Sequence, residues 1–154
     1  MSRKLKLFLD TNIFLEYINE RSQFESVSLI MGAIDNGSFE AYSSVGSVYT
    51  FAFLIEKCLK SQNIHRPELT IQTRQILLDY VSEVGILCTP HDAVKEAISN
   101  ERFTDIEDSL QYQCALHNQC DVLLTINVAD FHGIDNHPVE ILTPAEFIQK
   151  YNVK

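Results

Sequence analysis

The chain has 154 residues, of which 45% are hydrophobic and 21% charged, and its formal net charge is −9. This length suffices for one domain that buries about two-thirds of the surface of its unfolded chain, without disulfide or metal cross-links. The acidic balance excludes a protein that simply coats nucleic acid, because phosphate binding normally depends on clustered Lys and Arg. Carboxylates that hold a metal ion would also make the charge negative, so the acidity fits more than one class of function.

The N-terminus and the cysteines indicate a cytoplasmic protein. The first apolar run is short and ends at Asp10, which fits neither a signal peptide nor a membrane-spanning helix. The cysteines lie among apolar neighbours without CxxC spacing, so we expect reduced core thiols rather than a disulfide framework. They are Cys58, Cys88, Cys114 and Cys120.

The N-terminal half alternates strand and helix patterns. The segment LKLFL at 5–9 predicts a strand, and its run LFL is apolar on both faces, as in a buried parallel sheet. A capping box of Ser22 and Glu25 opens a predicted helix, which Asn36 and Gly37 end. The elements predicted in this half are the strand 5–9, the helix 22–36, the strand 39–44 and the buried helix 45–60.

The C-terminal half continues the alternation. Gly85 ends one predicted helix, and Thr104 with Glu107 forms a second capping box. Thr143 is a predicted N-cap with Pro144 at the first helical position. The elements predicted here are the helix 67–83, the strand 86–89, the helices 92–100 and 104–118, the strands 121–125 and 139–142, and a final helix from 144.

This alternation predicts a single α/β domain over 1–154, with a mainly parallel sheet between two layers of helices. Ligands of such sheets bind outside the carboxyl ends of the strands. Three predicted strands end there in polar clusters, which are Asp10-Thr11-Asn12, Ser43-Ser44 and Thr125-Ile126-Asn127.

Carboxylates are expected near these strand ends. Asp105 and Asp108 stand three residues apart in the first turn of a predicted helix, which places both on one face. If that turn abuts the sheet, Asp10 and Asp108 converge with the Asn127 amide, and one or both of Asp105 and Asp130 join them. Such carboxylates remain ionised together only around a shared cation, and oxygen ligands without His or Cys select Mg²⁺ or Mn²⁺. The pattern predicts metal-dependent phosphodiester hydrolysis.

The same residues have structural explanations. Asp105, Glu107 and Asp108 suit a helix N-terminus, where acidic groups favour the helix dipole. The segment 10–12 also fits a capped turn between a strand and a helix. Ser44 and Ser47 either only cap the helix after the second strand or also line the site. Sequence spacing leaves these alternatives open.

Other candidate groups are weaker. Cys114, His117 and Cys120 share one helix, but a structural zinc needs four ligands and a fourth is not evident. His132 and His137 fall in a predicted loop and suit turn or surface roles. Neither a Ser/His/Asp order nor a phosphate-binding GxxxxGK loop is present.

The sequence resembles the PIN-domain family, which includes the VapC-type toxin ribonucleases of bacterial toxin–antitoxin pairs. The resemblance runs nearly end to end, through FLDTNIFLEY, DIEDSLQYQCAL, LLTINVADF and ILTPAEF. It implies a compact α/β/α sandwich with a Mg²⁺- or Mn²⁺-dependent ribonuclease site. It also implies RNA as substrate, a small antitoxin protein as partner, a homodimer and no membrane association.

Roles follow from the resemblance, position by position. Asp10 matches the first metal carboxylate and Asp108 the third acidic position. The fourth position falls at Asn127, with Asp130 as its substitute, and Thr11 would hydrogen-bond the carboxylates. The predicted catalytic residues are therefore Asp10, Asp105, Asp108 and Asp130, the predicted metal ligands are Asp10, Asp108 and Asp130, and the predicted substrate-positioning residues are Thr11, Ser44 and Asn127.

The sequence departs from the family pattern at two acidic positions. Many PIN nucleases carry Glu on the helix after the second strand, where this chain has Thr50. Glu56 stands nearly two turns further on and on another part of the helix. Asn127 is neutral. Since affinity for hard cations follows ligand charge and number, we expect weak metal binding and weak activity.

Three functions compete at this stage. The first is a metal-dependent endoribonuclease, the toxin of a toxin–antitoxin pair, and the second is a catalytically degenerate PIN domain that binds RNA or protein. The third is a phosphotransfer enzyme with Asp10 as nucleophile, which the presence of Asn12 in place of a second Asp disfavours. The cations proposed to steer substrate phosphates are Arg3, Lys57, Lys60 and Arg102.

Overall fold

Five parallel strands flanked by helices form the protein, whose computed structural model describes residues 3–134 and 138–154. The predicted loop position of His137 lies outside the described residues. The strands are β1 (Lys6–Leu9), β2 (Glu40–Ser44), β3 (Gly85–Leu87), β4 (Val122–Leu124) and β5 (Glu140–Leu142). The helices are α1 (Thr11–Ile18), α2 (Phe24–Asp35), α3 (Val45–Ser61), α4 (Glu68–Glu83), α5 (His91–Ser99), α6 (Ile106–His117) and α7 (Pro144–Tyr151), and a 3-10 turn spans Val128–Phe131.

The sheet has the strand order β3-β2-β1-β4-β5, and each neighbouring pair is parallel. The chain winds from the central β1 to one edge and then returns to add β4 and β5 on the other side. In open sheets of this kind, ligands bind where the winding direction changes. Here that border lies between β1 and β4, and Asp10 and Thr125 follow these two strands.

The sheet is apolar on both faces, as predicted for parallel strands. Successive side chains of a strand alternate between faces, so Leu7 and Leu9 join one buried cluster, whereas Phe8 joins another. The first cluster includes side chains of α1, α2, α3, α4 and α7, and the second includes side chains of α6. The predicted α/β sandwich is thus confirmed. Within the described ranges, no helix is long and apolar enough to cross a membrane.

Helix α1 was not among the predicted elements. It spans only eight residues, TNIFLEYI, so its apolar positions extend over barely two turns and establish no clear period. Asp10 caps it by accepting a hydrogen bond from the Thr11 backbone N–H at 2.7 Å. The capped strand-to-helix turn considered for this segment is therefore present.

Two predicted capping boxes are wrong and a third cap is right. Helix α2 has Gln23 as its N-cap, and the Gln23 N–H donates to the Glu16 carboxylate at 3.0 Å, so contact with α1 replaces the predicted Ser22 cap. Helix α6 is capped by Asp105 rather than Thr104. The α7 prediction is confirmed: Thr143 caps the helix, Pro144 begins it, and Glu146 completes a reciprocal capping box.

The prediction that the cysteines are core residues holds for two of the four. Cys114 and Cys120 are buried, whereas Cys58 and Cys88 are exposed, and all four thiols are free. Cys58 lies on an outward part of α3, and Cys88 directly follows the edge strand β3. Apolar sequence neighbours did not reveal this because only every third or fourth residue of a surface helix faces the core, and directly adjacent residues lie on different sides.

An aromatic cluster between α1, α3 and α4 provides a test of the packing. Phe51 is fully buried, with its ring centroid 3.9 Å from that of Phe14 and 5.2 Å from that of Tyr80. We expect Phe51→Ala to lower the free energy of unfolding by about 3–5 kcal/mol, through lost burial and a cavity. Urea denaturation followed by circular dichroism measures this change. Phe53→Ala, at a 66% exposed position on the same helix, should change it by less than about 0.5 kcal/mol.

Candidate acidic site at the strand ends

Asp10 is a buried carboxylate at the point where β1 ends. The residue is only 3% exposed. Its Oδ2 atom accepts hydrogen bonds from the Thr125 hydroxyl at 2.8 Å and from the Asn12 amide at 3.0 Å, and its Oδ1 atom accepts from the Thr11 N–H. Burial raises the pKa of Asp10 to about 6, even though these hydrogen bonds oppose the shift.

An open cavity of about 320 Å³ lies in front of this carboxylate. It is lined by the acidic residues that the sequence analysis predicted for the site. Asp105, Asp108 and Asp130 reach it from the start of α6 and from the 3-10 turn, together with Asn127. The lining residues are Asp10, Thr11, Asn12, Leu15, Thr50, Leu54, Asp105, Glu107, Asp108, Asn127 and Asp130. We call this space the acidic cavity.

Asp108 is the second acid with a strongly perturbed titration. It is partly buried in the first turn of α6. Desolvation, followed by repulsion from Asp10, Asp105, Asp130 and Glu107, raises the pKa of Asp108 to about 7. These four acidic neighbours concentrate negative potential at the Asp108 side chain.

Three of the predicted site residues, Asp105, Asn127 and Asp130, occupy the exposed rim of the acidic cavity. Asp105 lies in extended backbone before α6, and its carboxylate accepts the Glu107 N–H at 2.7 Å. It is thus the N-cap and not a first-turn residue, although it still shares the cavity with Asp108. Asn127 and Asp130 are exposed, and Asn127 precedes the 3-10 turn, with its N–H donated to the Thr125 hydroxyl at 3.1 Å.

Comparison with known proteins assigns the chain to a family. The PIN domain family matches residues 6–129, which include every acidic residue of the cavity except Asp130. The chain belongs to the PIN-domain family. It is also 26% identical over 149 residues to ribonuclease VapC1 of Aquifex aeolicus (strain VF5), and the alignment covers 96% of each chain.

Solved structures share the fold of this PIN domain. One is VapBC2 of Rickettsia felis bound to a promoter DNA fragment, with a TM-score of 0.64, 15% identity, and coverage of 90% of this chain and 98% of that one. Another is VapBC-1 of Haemophilus influenzae, with a TM-score of 0.63, 16% identity, and coverage of 92% and 99%. At such identities the likeness concerns the fold, and the α/β sandwich is common to all of them.

Ser44 lies in a cavity that adjoins the acidic cavity. Its hydroxyl caps α3 by accepting the Ser47 N–H at 3.1 Å, and it donates to Gln111 Oε1 at 2.7 Å. The adjoining cavity shares Thr50 and Glu107 with the acidic cavity. The capping role is therefore present, and a role of Ser44 in positioning substrate stays a prediction.

The donors of the acidic cavity suit a hard divalent cation by their chemistry. They are carboxylate, amide and hydroxyl oxygens, without His or Cys among the lining residues. Within the part of the chain that the structure describes, no three His, Cys, Asp or Glu side chains are placed to hold a metal ion. The fit therefore rests on the donor types and on the raised pKa of Asp10 and Asp108, which a nearby cation would lower again.

The four cations proposed to steer phosphates differ in position. Arg3 pairs with Asp121 before β4, at the opposite end of the sheet, so that assignment is wrong. Lys60 pairs with Glu56, and Arg102 is exposed without lining the acidic cavity.

Lys57 lines a second cavity together with Arg21, and this cavity shares Leu15 and Leu54 with the acidic one. Lys57 and Arg21 form no ion pair within the described ranges. Of the four proposed cations, Lys57 is therefore the one beside the acidic cavity.

Several contributors to the site were missed or given no role. Thr125 and Asn12 hold the Asp10 carboxylate, and Ser47 and Gln111 form a buried polar group behind Thr11. The polar segment after β4 was a usable signal for Thr125, since it interrupts an apolar strand. Ser47 was singled out together with Ser44, but no sequence signal identifies Gln111, because isolated polar residues on helices are usually solvent-exposed.

The raised pKa values predict how stability depends on pH in the absence of divalent ions. Between about pH 4 and pH 7 the folded state holds more protons than the unfolded state, because an unfolded Asp titrates near pH 3.9. The free energy of unfolding should therefore fall as the pH rises through this interval. Asp10→Asn removes one of the two groups and should stabilise the protein at pH 7.5 by about 2 kcal/mol.

Urea denaturation in the presence of a chelator, repeated across this pH interval, measures the effect. Asp35→Asn, an exposed position at the end of α2, serves as the control and should leave the slope unchanged. A slope of the same size in wild type and in Asp10→Asn would contradict a buried carboxylate with a raised pKa.

Proposed function

We propose that this PIN domain is a single-domain, metal-dependent endoribonuclease that acts as the toxin of a toxin–antitoxin pair. The observation that carries the proposal is the buried Asp10 carboxylate, which faces an acidic cavity and has Asp108 beside it. Two carboxylates with raised pKa values in one open cavity are an arrangement that a divalent cation stabilises. The 26% identity to ribonuclease VapC1 over nearly the whole chain supports the ribonuclease assignment.

Each residue would have a distinct part in this activity. Asp10 and Asp108 would hold the cation, with Asp105 and Asp130 as supplementary acids at the rim. A bound Mg²⁺ or Mn²⁺ supplies a water activated for in-line attack and neutralises charge on the phosphate. The Thr125 and Asn12 donors fix the orientation of the Asp10 carboxylate. Thr11, Ser44 and Asn127 would position the RNA.

The proposal extends to a protein partner. The structures most useful for comparison are the VapBC complexes of Rickettsia felis and Haemophilus influenzae, which share the fold of this chain. We propose that a small antitoxin protein binds and inhibits this PIN domain, and that the domain forms a homodimer. Co-purification with the product of an adjacent gene, followed by inhibition of cleavage, tests the first of these two statements.

Asp10→Asn is the variant that tests the active site. It should abolish RNA cleavage and Mn²⁺ binding, because it removes the buried negative charge, and it should leave the fold intact. Isothermal titration of Mn²⁺ and cleavage of a labelled RNA, measured on the same samples, provide the two readouts. Expression in a bacterial host provides a third, since wild type should arrest growth and Asp10→Asn should not.

Asp35→Asn is the matched control, because it makes the same chemical change at an exposed position outside the acidic cavity. It should bind metal and cleave RNA as wild type does. Normal cleavage by Asp10→Asn would refute the assignment of Asp10. Failure of wild type to bind Mn²⁺ or to cleave RNA would refute the metal-dependent nuclease.

Lys57 provides a test of the substrate path. Its cavity shares Leu15 and Leu54 with the acidic cavity, so an RNA strand that crosses the site can bring a neighbouring phosphate to Lys57 and Arg21. We expect Lys57→Ala to raise the KM for RNA and to lessen its salt dependence, with a smaller effect on kcat. Lys60→Ala, three residues away on α3 and paired with Glu56, should have little effect. Equal effects of the two variants would argue against this path.

A second candidate function has one observation in its favour. Thr50 lines the acidic cavity at the position where many PIN nucleases carry an acid, and the charge of this side is thereby reduced. A domain that binds RNA or protein without cleaving it would fit that change. If the wild-type protein binds RNA but does not cleave it at any Mn²⁺ or Mg²⁺ concentration, this alternative is established.

A further inference from the structure

Helix α3 carries two exposed aromatic side chains beside the acidic cavity. Tyr49 is 76% exposed and Phe53 is 66% exposed, which makes them the two most exposed large hydrophobic side chains among the described residues. Phe53 lies three residues after Thr50 and directly before Leu54, and both of these line the acidic cavity. Residues three apart are neighbours on a helix surface, so Phe53 stands next to the rim of that cavity.

Tyr49, Phe53 and Lys57 form one row along α3. They are spaced four residues apart, which places them on one face of the helix with a rise of about 6 Å between neighbours. Lys57 ends the row at the second cavity, where Arg21 also lies. We call Tyr49 and Phe53 the aromatic pair. The pair therefore flanks the path from the acidic cavity to Lys57.

Packing of the core does not explain the aromatic pair. The neighbouring Phe51 points inward, is fully buried and contacts the rings of Phe14 and Tyr80. Within the described ranges, neither ring of the pair takes part in an aromatic contact or belongs to a core cluster. Single exposed hydrophobic residues are common on protein surfaces, whereas two adjacent large rings beside a cavity indicate a binding surface.

The charges around the site favour a contact with RNA that does not depend on charge. The net charge of −9 and the carboxylates of the acidic cavity repel RNA phosphates. Lys60 and Arg66 both pair with Glu56. Lys57 and Arg21 remain beside the site as cations for a phosphate. Stacking of a base on an aromatic ring does not require net charge, and it raises affinity by about fivefold to a hundredfold per base.

We propose that the aromatic pair is a stacking platform for two unpaired bases of the RNA substrate. The inference rests on the proposed function and deepens it, because it restricts the substrate to RNA with unpaired bases near the acidic cavity. In a duplex the faces of the bases are covered by neighbouring pairs, so single strands, loops and bulges are the RNA that presents a base to these rings. Tyr49 and Phe53 are then positioning residues, and Lys57 neutralises a phosphate of the same strand.

A second copy of the chain is the other occupant that an exposed aromatic surface could accept. A stable protein–protein interface buries about 800 Å² on each partner. Tyr and Phe side chains bury about 150–250 Å² each, so the exposed parts of the pair amount to roughly 200–350 Å². The aromatic pair is thus too small to hold the proposed homodimer by itself. Its size and the cation at its end favour RNA.

Replacement of both rings by leucine tests the platform. The double variant Tyr49→Leu with Phe53→Leu, the leucine variant, keeps apolar side chains but removes both ring faces. The matched control is the double variant Tyr49→Phe with Phe53→Tyr, the ring-exchange variant, which retains them. Lys57→Ala is the reference for loss of a phosphate contact. Circular dichroism verifies folding, and sedimentation without RNA gives the oligomeric state of each protein.

Binding of a labelled single-stranded RNA of about 12 nucleotides, and of its duplex with a complementary strand, is measured by fluorescence anisotropy in a chelator, which keeps the RNA uncut. The leucine variant should bind the single strand about tenfold or more weakly than wild type, and the ring-exchange variant as wild type does. The salt dependence should be unchanged in the leucine variant and smaller in Lys57→Ala. Wild type should bind the single strand more tightly than the duplex.

The outcomes separate this proposal from the one it rests on. If the leucine variant binds the single strand as wild type does, or if wild type binds single strand and duplex equally, the platform is refuted, whereas Mn²⁺-dependent cleavage by wild type still supports the nuclease. If the leucine variant changes the oligomeric state, the aromatic pair is an interface between copies of the chain and the platform is overturned. If wild type neither binds nor cleaves RNA, both proposals fail.

Discussion

Burial of one carboxylate governs the organisation of this PIN domain. Asp10 ends a strand whose last three residues are fully buried, so its side chain emerges where water is scarce. An unpaired charge in such a place costs several kcal/mol, roughly, after relaxation. The protein surrounds it with donors from three sources: the α1 backbone, the Asn12 amide and the Thr125 hydroxyl after β4. These offset part of the cost, and the pKa of Asp10 still rises.

The strand order explains how the other acids reach the same place. Because β1 and β4 are neighbours at the border where the winding changes, the segment after β4 comes directly beside Asp10. That segment contains Thr125, Asn127 and Asp130, whereas α6, which precedes β4, begins on the same edge of the sheet and brings Asp108. Parallel pairing of β1 with β4, together with the position of α6, thus brings residues far apart in sequence into one cavity. The same geometry leaves Arg3 at the opposite end, paired with Asp121.

The sequence indicated the strands, the longer helices and the edge of the sheet that carries the acids, because all of these depend on hydrophobic period and on general rules for parallel sheets. It did not indicate α1, whose eight residues are too few for a period, or the caps of α2 and α6. Those depend on contacts such as Gln23 with Glu16, which only the assembled fold creates. Within the site, the acids were visible as residue types. Their hydrogen-bond partners were not visible. A polar residue such as Gln111 is expected at the surface of a helix, whereas in the fold its side chain donates to hydroxyls on α1 and α3.

Thr11 shows why the acidic residues cannot be considered one at a time. Its backbone N–H holds the Asp10 carboxylate, while its side-chain hydroxyl holds that of Glu107. Thr11 therefore orients two carboxylates on different elements. The Gln111 side-chain amide donates to the Thr11 hydroxyl and so helps to orient Thr11 itself. Thr50 on α3 is uncharged, whereas Glu107 on α6 lines the same cavity. The contacts of Thr11 therefore couple the orientation of the Asp10 carboxylate to that of the Glu107 carboxylate, although the two acids lie almost a hundred residues apart in sequence.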